Sequence, residues 1–161
     1  MKCINYIINE KATLSISKEV LDKLHKYKQI GNRHEAGGIL LGRIKDDYSK
    51  YEIIDISEPC SKDNSNRLYF IRNKKKAQKI INKAFEESGG IIQYMGEWHT
   101  HPEKYPRPSY TDKRLVDVCS KQENVPKIIF MLILGYEGDL YVGCSENSVG
   151  LKKINENRSD D

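Results

Sequence analysis

The spacing of hydrophobic positions changes several times along the chain, and each change marks a new element. Apolar alternation over Tyr6–Ile8 and Thr13–Ile16 predicts two short strands. Ser17 then stands as an N-cap before Val20, Leu21, Leu24 and Tyr27, which recur at helical spacing up to a stop at Gly31. From Gly37 the pattern becomes Gly-Gly-Ile-Leu-Leu-Gly-Arg-Ile, a short apolar run suited to a buried strand, and Tyr51–Ile56 predicts the next one. Pro59–Asn66 is a polar loop and Leu68–Ile71 a further short strand. Asn73 caps a second helix whose apolar face is Ala77, Ile80, Ile81, Ala84 and Phe85, closed by Gly89-Gly90.

Ile91–His101 predicts a strand halted by Pro102, and Pro106 and Pro108 stiffen the loop that follows. A third helix starts near Ser109 or Thr111 and runs to about Asn124. Lys127–Gly135, Leu140–Cys144 and Val149–Ile154 complete the strands, with a hairpin turn between Gly135 and Gly138. Strands interspersed with three helices predict an α/β fold (an α+β sandwich) around one mixed sheet flanked by helices. No repeat or linker divides the 161 residues, so one domain is expected over residues 1–154, followed by a polar, frayed tail over 155–161.

Composition narrows the class. Hydrophobic residues make up 38% and charged ones 31%, the balance of a polar-surfaced globular protein. The net charge of +4 is small for a dedicated nucleic-acid binder. The longest apolar run, Ile128–Leu134, falls far short of the roughly 18 residues of a membrane span. The first residues carry no sustained apolar stretch, so no signal peptide and a cytoplasmic location are expected. Cys3, Cys60, Cys119 and Cys144 lie far apart with no C-x-x-C pair, the usage of reduced thiols without chemistry. Arg72, Lys74, Lys75, Lys76, Lys79 and Lys83 gather on or just before the second helix. Such a run is ordinarily the solvated face opposite an apolar one, the alternative being a docking face for an acidic partner.

The candidate chemistry lies around His99 and His101. Two residues apart on a strand, their side chains project from one face and their imidazoles can converge on one ion. Ser109-Tyr110-Thr111-Asp112 then opens a helix. On its own, S-x-x-D reads as a capping box in which Asp112 only closes the helix start. The proline-stiffened loop gives it a second reading, because a rigid connection between a histidine pair and a carboxylate preorganises a ligand set. Two histidines, one carboxylate and an open fourth position describe a catalytic rather than a structural zinc site. Glu97, on the same strand face as His99, and Glu103 are the neighbouring carboxylates that spacing alone would choose as base or extra ligand.

The stretch Gly96-Glu97-Trp98-His99-Thr100-His101-Pro102, six residues, then Ser109-Tyr110-Thr111-Asp112 resembles the JAMM signature of the JAB/MPN metalloprotease family, H-x-H-P, six residues, S-x-x-D. Upstream, Glu35-Ala36-Gly37-Gly38-Ile39-Leu40-Leu41-Gly42 is similar to that family's E-x-x-G-x-L-x-G element. The resemblance implies a JAB/MPN domain, cytidine-deaminase-like in fold class, with one Zn2+ held by His99, His101 and Asp112. It implies Glu35 as general base and Ser109 as the donor that steadies the oxyanion. The chemistry is coherent, since zinc lowers the pKa of a bound water from 15.7 to about 7 and polarises the scissile carbonyl. A neighbouring carboxylate can then take that proton and deliver it to the leaving amine. The deaminase signature H-x-E with P-C-x-x-C and the helical zincin motif H-E-x-x-H are both absent.

Family members with an intact signature cleave isopeptide or peptide bonds after the C-terminus of ubiquitin-like modifiers. The resemblance is greatest to small standalone bacterial JAB proteins, several of which accompany ubiquitin-activating and ubiquitin-conjugating homologues in anti-phage operons. It implies a zinc isopeptidase that deconjugates or matures a ubiquitin-like protein, or a protein bearing such an extended tail. Alternatives are trimming of a sulfur-carrier protein's C-terminus and a noncatalytic MPN-type scaffold. No membrane partner is expected, and nucleic acid is disfavoured.

Overall fold

The structure, a computed structural model, describes residues 3–158. In chain order the elements are β1 (Cys3–Asn9), β2 (Ala12–Ser17), α1 (Lys18–His25), β3 (Gly37–Ile44), β4 (Lys50–Ile56), β5 (Asn64–Ser65), β6 (Phe70–Ile71) and α2 (Lys74–Glu87). They continue with β7 (Gln93–Thr100), α3 (Tyr110–Ser120), β8 (Ile128–Leu134), β9 (Leu140–Glu146), β10 (Leu151–Lys153) and β11 (Asn155–Glu156). Nine strands form one sheet in the order β10-β9-β8-β7-β3-β4-β2-β1-β11, while β5 and β6 pair separately. Within it β2–β4 and β7–β8 run parallel and the other pairs antiparallel, the mixed sheet expected.

Helices cover both faces. Val20 and Leu24 of α1 pack into a core with Leu14, Ile16, Leu40, Ile53, Met95, Trp98, Phe130 and Leu132. On the opposite face Val116 and Cys119 of α3 lie over Ile129, Met131, Ile133 and Tyr141, and Ala77 of α2 lies against Ile39 and Leu41. Burial from both sides explains why β8 reads Ile-Ile-Phe-Met-Leu-Ile-Leu without a polar break, every residue buried. Each such side chain contributes about 1.5–3 kcal/mol relative to exposure.

The helix starts follow the sequence closely. Ser17 caps α1 by accepting from the Val20 amide, and Asn73 caps α2 by accepting from the Lys76 amide. The ends differ. The first helix stops at His25, well before Gly31, because the chain turns away through residues 26–31 and Gln29 is tied to the Arg67 carbonyl. The third stops at Ser120 rather than Asn124, which adopts a left-handed conformation (φ 60°) just ahead of Pro126. Within the stretch expected as a polar tail, the first two residues are in the sheet. Asn155 and Glu156 pair with Ile7 and Tyr6 as the outermost strand, while residues 159–161 lie outside the described residues.

One irregularity bears directly on the site. Along β7, Leu40 pairs with Gly96 but Leu41 with Tyr94, so Met95 is an extra residue opposite an unbroken β3. Gly96 takes φ 136°, and a Cβ there would lie 1.9 Å from the Phe130 carbonyl oxygen. The bulge puts Tyr94 and Glu97, three residues apart, on the same face, where the Tyr94 hydroxyl donates to Glu97 Oε1 at 2.9 Å. From Glu97 onward strict alternation resumes. Trp98 and Thr100 face α1, while Glu97, His99 and His101 face the α2–α3 layer.

Candidate metal centre

The site forms where β7 ends, between the start of α3 and the segment that enters β3. Gly37 pairs with His99, which brings the residues just before β3 beside the histidines. The approach is close. A Cβ on Gly37 would lie 2.7 Å from the Trp98 carbonyl oxygen and 2.5 Å from Phe70 Cδ1, so glycine lets the β5–β6 hairpin settle against this corner. Glu35, His99, His101 and Asp112 are all buried there, although glutamate, histidine and aspartate are rarely buried without a partner.

His99 Nε2 and His101 Nε2 face each other at 3.2 Å. Asp112 reaches both, Oδ1 at 3.0 Å from His99 Nε2 and Oδ2 at 3.2 Å from His101 Nε2. These separations fit the edge of a tetrahedron with metal–ligand bonds of 2.0–2.1 Å, roughly 3.3 Å. Two imidazole lone pairs and a carboxylate aimed at one point repel unless a proton or a cation sits among them. Burial disfavours the imidazolium of His101, yet its hydrogen bond to Asp112 and the charges of Asp112, Glu35 and Glu103 raise its pKa. Burial likewise opposes ionisation of Asp112, and the two histidines and the Ser109 amide overcome it, holding the carboxyl well below its usual range. The donor set and its electrostatics suit a divalent cation.

Glu35 stands one step further away. Its Oε1 is 3.9 Å from His99 Nε2 and 4.0 Å from His101 Nε2. A metal-competent group of Glu35, His99 and His101 has all its ligand atoms within 4.8 Å of one another. The shorter contacts of Asp112 make it the more direct partner of the pair, and the extra distance at Glu35 leaves space for a small molecule between. Burial pushes the Glu35 carboxyl up to about 7 against the opposing effect of the histidines, which is the range useful to a base at neutral pH.

Asp112 forms the capping box and also lies against both histidines. Ser109 Oγ accepts from the Asp112 amide at 3.1 Å, and the Ser109 amide donates to Asp112 Oδ2 at 2.7 Å, a complete capping box. The cap fixes the carboxylate that also meets both histidines. Ser109 is exposed at the rim, and among the described residues its own O–H has no acceptor.

The other candidates separate. Glu97 is committed elsewhere: Arg72 Nε and Nη2 grip it in a forked contact at 2.8–3.1 Å, and the Tyr94 hydroxyl and the Cys119 thiol also donate to it. Arg72, grouped in the sequence with the lysines, is thus half-buried and paired, whereas Lys74, Lys75, Lys76, Lys79 and Lys83 are exposed. Glu103 lies 3.6 Å from His101 Nδ1, the nearest carboxylate to a ring nitrogen that has no hydrogen-bond partner among the described residues. A groove of about 1180 Å³ between α2 and α3, lined by Ile81, Phe85, Tyr94 and Val125, includes none of the four buried site residues.

The spacing of residues missed a second buried polar set behind Glu35. Thr100, between the histidines and facing the opposite way, donates its hydroxyl to Gln29 Oε1 at 3.1 Å and accepts the Ala36 amide at 3.0 Å. Nothing in the sequence marked Gln29, which lies in a turn.

A family model described as prokaryotic homologs of the JAB domain matches residues 17–137. A protein of Escherichia coli (strain TW11681) named CD-NTase/cGAS isopeptidase is 34% identical over 131 residues, covering 80% of this chain and 79% of the relative. A Vibrio cholerae protein of the same name is 34% identical over 137 residues, covering 83% of each. The fold is also that of a protein from Desulfitobacterium hafniense known from a solution structure, with a TM-score of 0.58 and 19% identity over 89% of this chain and 88% of that one. No helix among the described residues is long and apolar enough to cross a membrane.

Proposed function

Because the chain belongs to the prokaryotic JAB family, we propose that it is a zinc-dependent isopeptidase that cleaves after the C-terminus of a ubiquitin-like modifier, with a modified CD-NTase as the conjugate. The observation that carries the reading is the convergence of His99, His101 and Asp112 at 3.0–3.2 Å with a buried carboxylate, Glu35, held 3.9 Å away.

His99, His101 and Asp112 would hold the zinc. The ion would supply a water acidic enough to react near neutral pH and would polarise the scissile carbonyl. Glu35, held just beyond contact with the histidines, takes the proton from the attacking water and returns it to the leaving amine. Ser109 turns its free O–H toward the oxygen of the tetrahedral species, and the capping box keeps that hydroxyl at the mouth of the site. Glu103 is placed to orient His101 through Nδ1, the ring nitrogen turned away from the other ligands.

The test is a panel of ubiquitin-like proteins fused through their C-termini to a reporter, alongside a CD-NTase conjugate. Cleavage directly after the modifier, lost with a strong chelator and restored by zinc, is the expected result. Bulky residues in place of glycine at the modifier's end should slow it, because an extended tail presents its scissile bond along a narrow groove. Absence of cleavage across the panel by zinc-loaded protein points to the noncatalytic scaffold instead.

A further inference from the structure

We propose that Gln29 and Thr100 are positioning residues for Glu35, acting through a closed ring of hydrogen bonds that also includes the loop at Asn66–Arg67. The inference rests on the reading of Glu35 as the general base. Starting from Gln29, Nε2 donates to the Arg67 carbonyl at 2.6 Å. The neighbouring Asn66 carbonyl accepts the Glu35 amide at 2.7 Å. The next amide, Ala36, donates to Thr100 Oγ1 at 3.0 Å, and the Thr100 hydroxyl returns to Gln29 Oε1 at 3.1 Å. A further bond from the Thr100 amide to the Ala36 carbonyl, 2.9 Å, doubles the link between the two strands.

The ring has features that packing alone does not require. Glu35 precedes the first residue of β3, so the sheet ladder does not fix its backbone; the ring does. Gln29 is only 2% exposed and Thr100 fully buried, so a broken bond leaves a polar group with no water to replace its partner. Each polar side-chain atom is used in the one sense open to it: the amide nitrogen donates, the amide oxygen accepts, and the hydroxyl does both. A hydroxyl between two histidines on the opposite face thereby sets the height of the carboxylate that faces their imidazoles. The same ring runs through Arg67, beside exposed Leu68, and so fastens the outer loop to Glu35.

Thr100→Val, nearly isosteric and without the hydroxyl, and Gln29→Met test this on the zinc-loaded protein. For Thr100→Val the expected result is a fall in kcat of about 10-fold or more, in a regime where a misplacement of about 1 Å costs 10²-fold. KM and zinc content should stay close to wild type, and Thr100→Ser should restore the rate. Amide hydrogen exchange gives a readout without catalysis: Glu35 and Ala36 should exchange faster in Thr100→Val and Gln29→Met, with global unfolding little changed. In a Glu35→Gln background Thr100→Val should slow the residual reaction no further, because the group it positions is gone. An equal slowing in both backgrounds, or unchanged exchange at Glu35 and Ala36, overturns the proposal. Wild-type turnover by Glu35→Gln overturns the base assignment instead, and the exchange measurement still decides whether the ring holds residue 35.

Discussion

Glu35 Oε1 lies 3.9 Å from His99 Nε2, whereas Asp112 Oδ1 lies 3.0 Å from the same nitrogen. In the proposed mechanism that difference of one step separates a ligand from a base. A carboxylate in contact with the histidines completes their coordination, and one held back can exchange protons with whatever binds between. Glu35→Ala should therefore keep zinc and fold while losing at least about 100-fold in turnover, within the range for removal of a general base. Metal content and initial rate on one cleavable ubiquitin-like fusion check this. Near-normal turnover would remove Glu35 from the mechanism.

Zinc itself should be stoichiometric. About one equivalent per chain is expected after reconstitution, because the described residues assemble one such histidine pair. Elemental analysis of wild type, His99→Ala, His101→Ala and Asp112→Ala should show retention in the first and marked loss in the others. Well under half an equivalent in wild type would reject the ligand set.

The pH dependence of metal-free stability has a definite sign at Glu35. Burial raises its pKa from 4.5 to about 7, so the folded protein prefers the protonated carboxyl. The stability this gives is full below pH 4.5 and is lost as pH rises through about 7. Glu35→Gln, which cannot ionise, should gain on the metal-free wild type progressively across that window. Urea unfolding of both proteins at a series of pH values measures the gap, and a gap that narrows with rising pH contradicts the assignment.

Glu97→Ala should behave in the opposite way to Glu35→Ala. Removing a 4% exposed carboxylate leaves Arg72 half-buried without its partner, a change that costs about 3–5 kcal/mol in comparable buried pairs. The denaturation midpoint should drop clearly, while zinc content and the rate per folded molecule stay near wild type. A collapse of the rate in a stable Glu97→Ala would reverse the roles of the two glutamates.

Thiol reagents should leave activity intact. Burial pushes the Cys119 and Cys144 thiols up to about 11, so few thiolates form there at pH 8, whereas Cys3 is exposed and Cys60 partly so. Mass spectrometry after brief alkylation should find Cys3 and Cys60 modified first, with turnover unchanged. Inactivation without loss of zinc or fold would point to a cysteine nucleophile.

How far the sequence carried these conclusions depends on the range of the interaction involved. His99 and His101 share a face because strand alternation is local, and Asp112 follows from a helix start that Ser109 caps. Glu35 was visible only through family resemblance, because contacts distant in sequence, the Gly37–His99 pair and the bond of its own amide to the Asn66 carbonyl, bring it to the histidines. Glu97 shows the converse failure. Local spacing placed it correctly beside the histidines, but Arg72, brought in by the chain ahead of α2, neutralises it. The ring at Gln29 was illegible, since a glutamine in a turn has no periodicity to betray its partners.

The extra residue at Met95 gives β7 a parity that evolution has to respect. Upstream of it the side chains count from one origin, downstream from another, and the offset keeps Tyr94 on the side of Glu97, His99 and His101. Losing Met95 itself would only restore strict alternation, whereas losing one residue between Gly96 and His99 while keeping the pairs upstream would turn both imidazoles into the layer now filled by Trp98 and Thr100. The bulge is thus a point on this strand where a single residue can go without turning the histidines over, and Gly96 marks it.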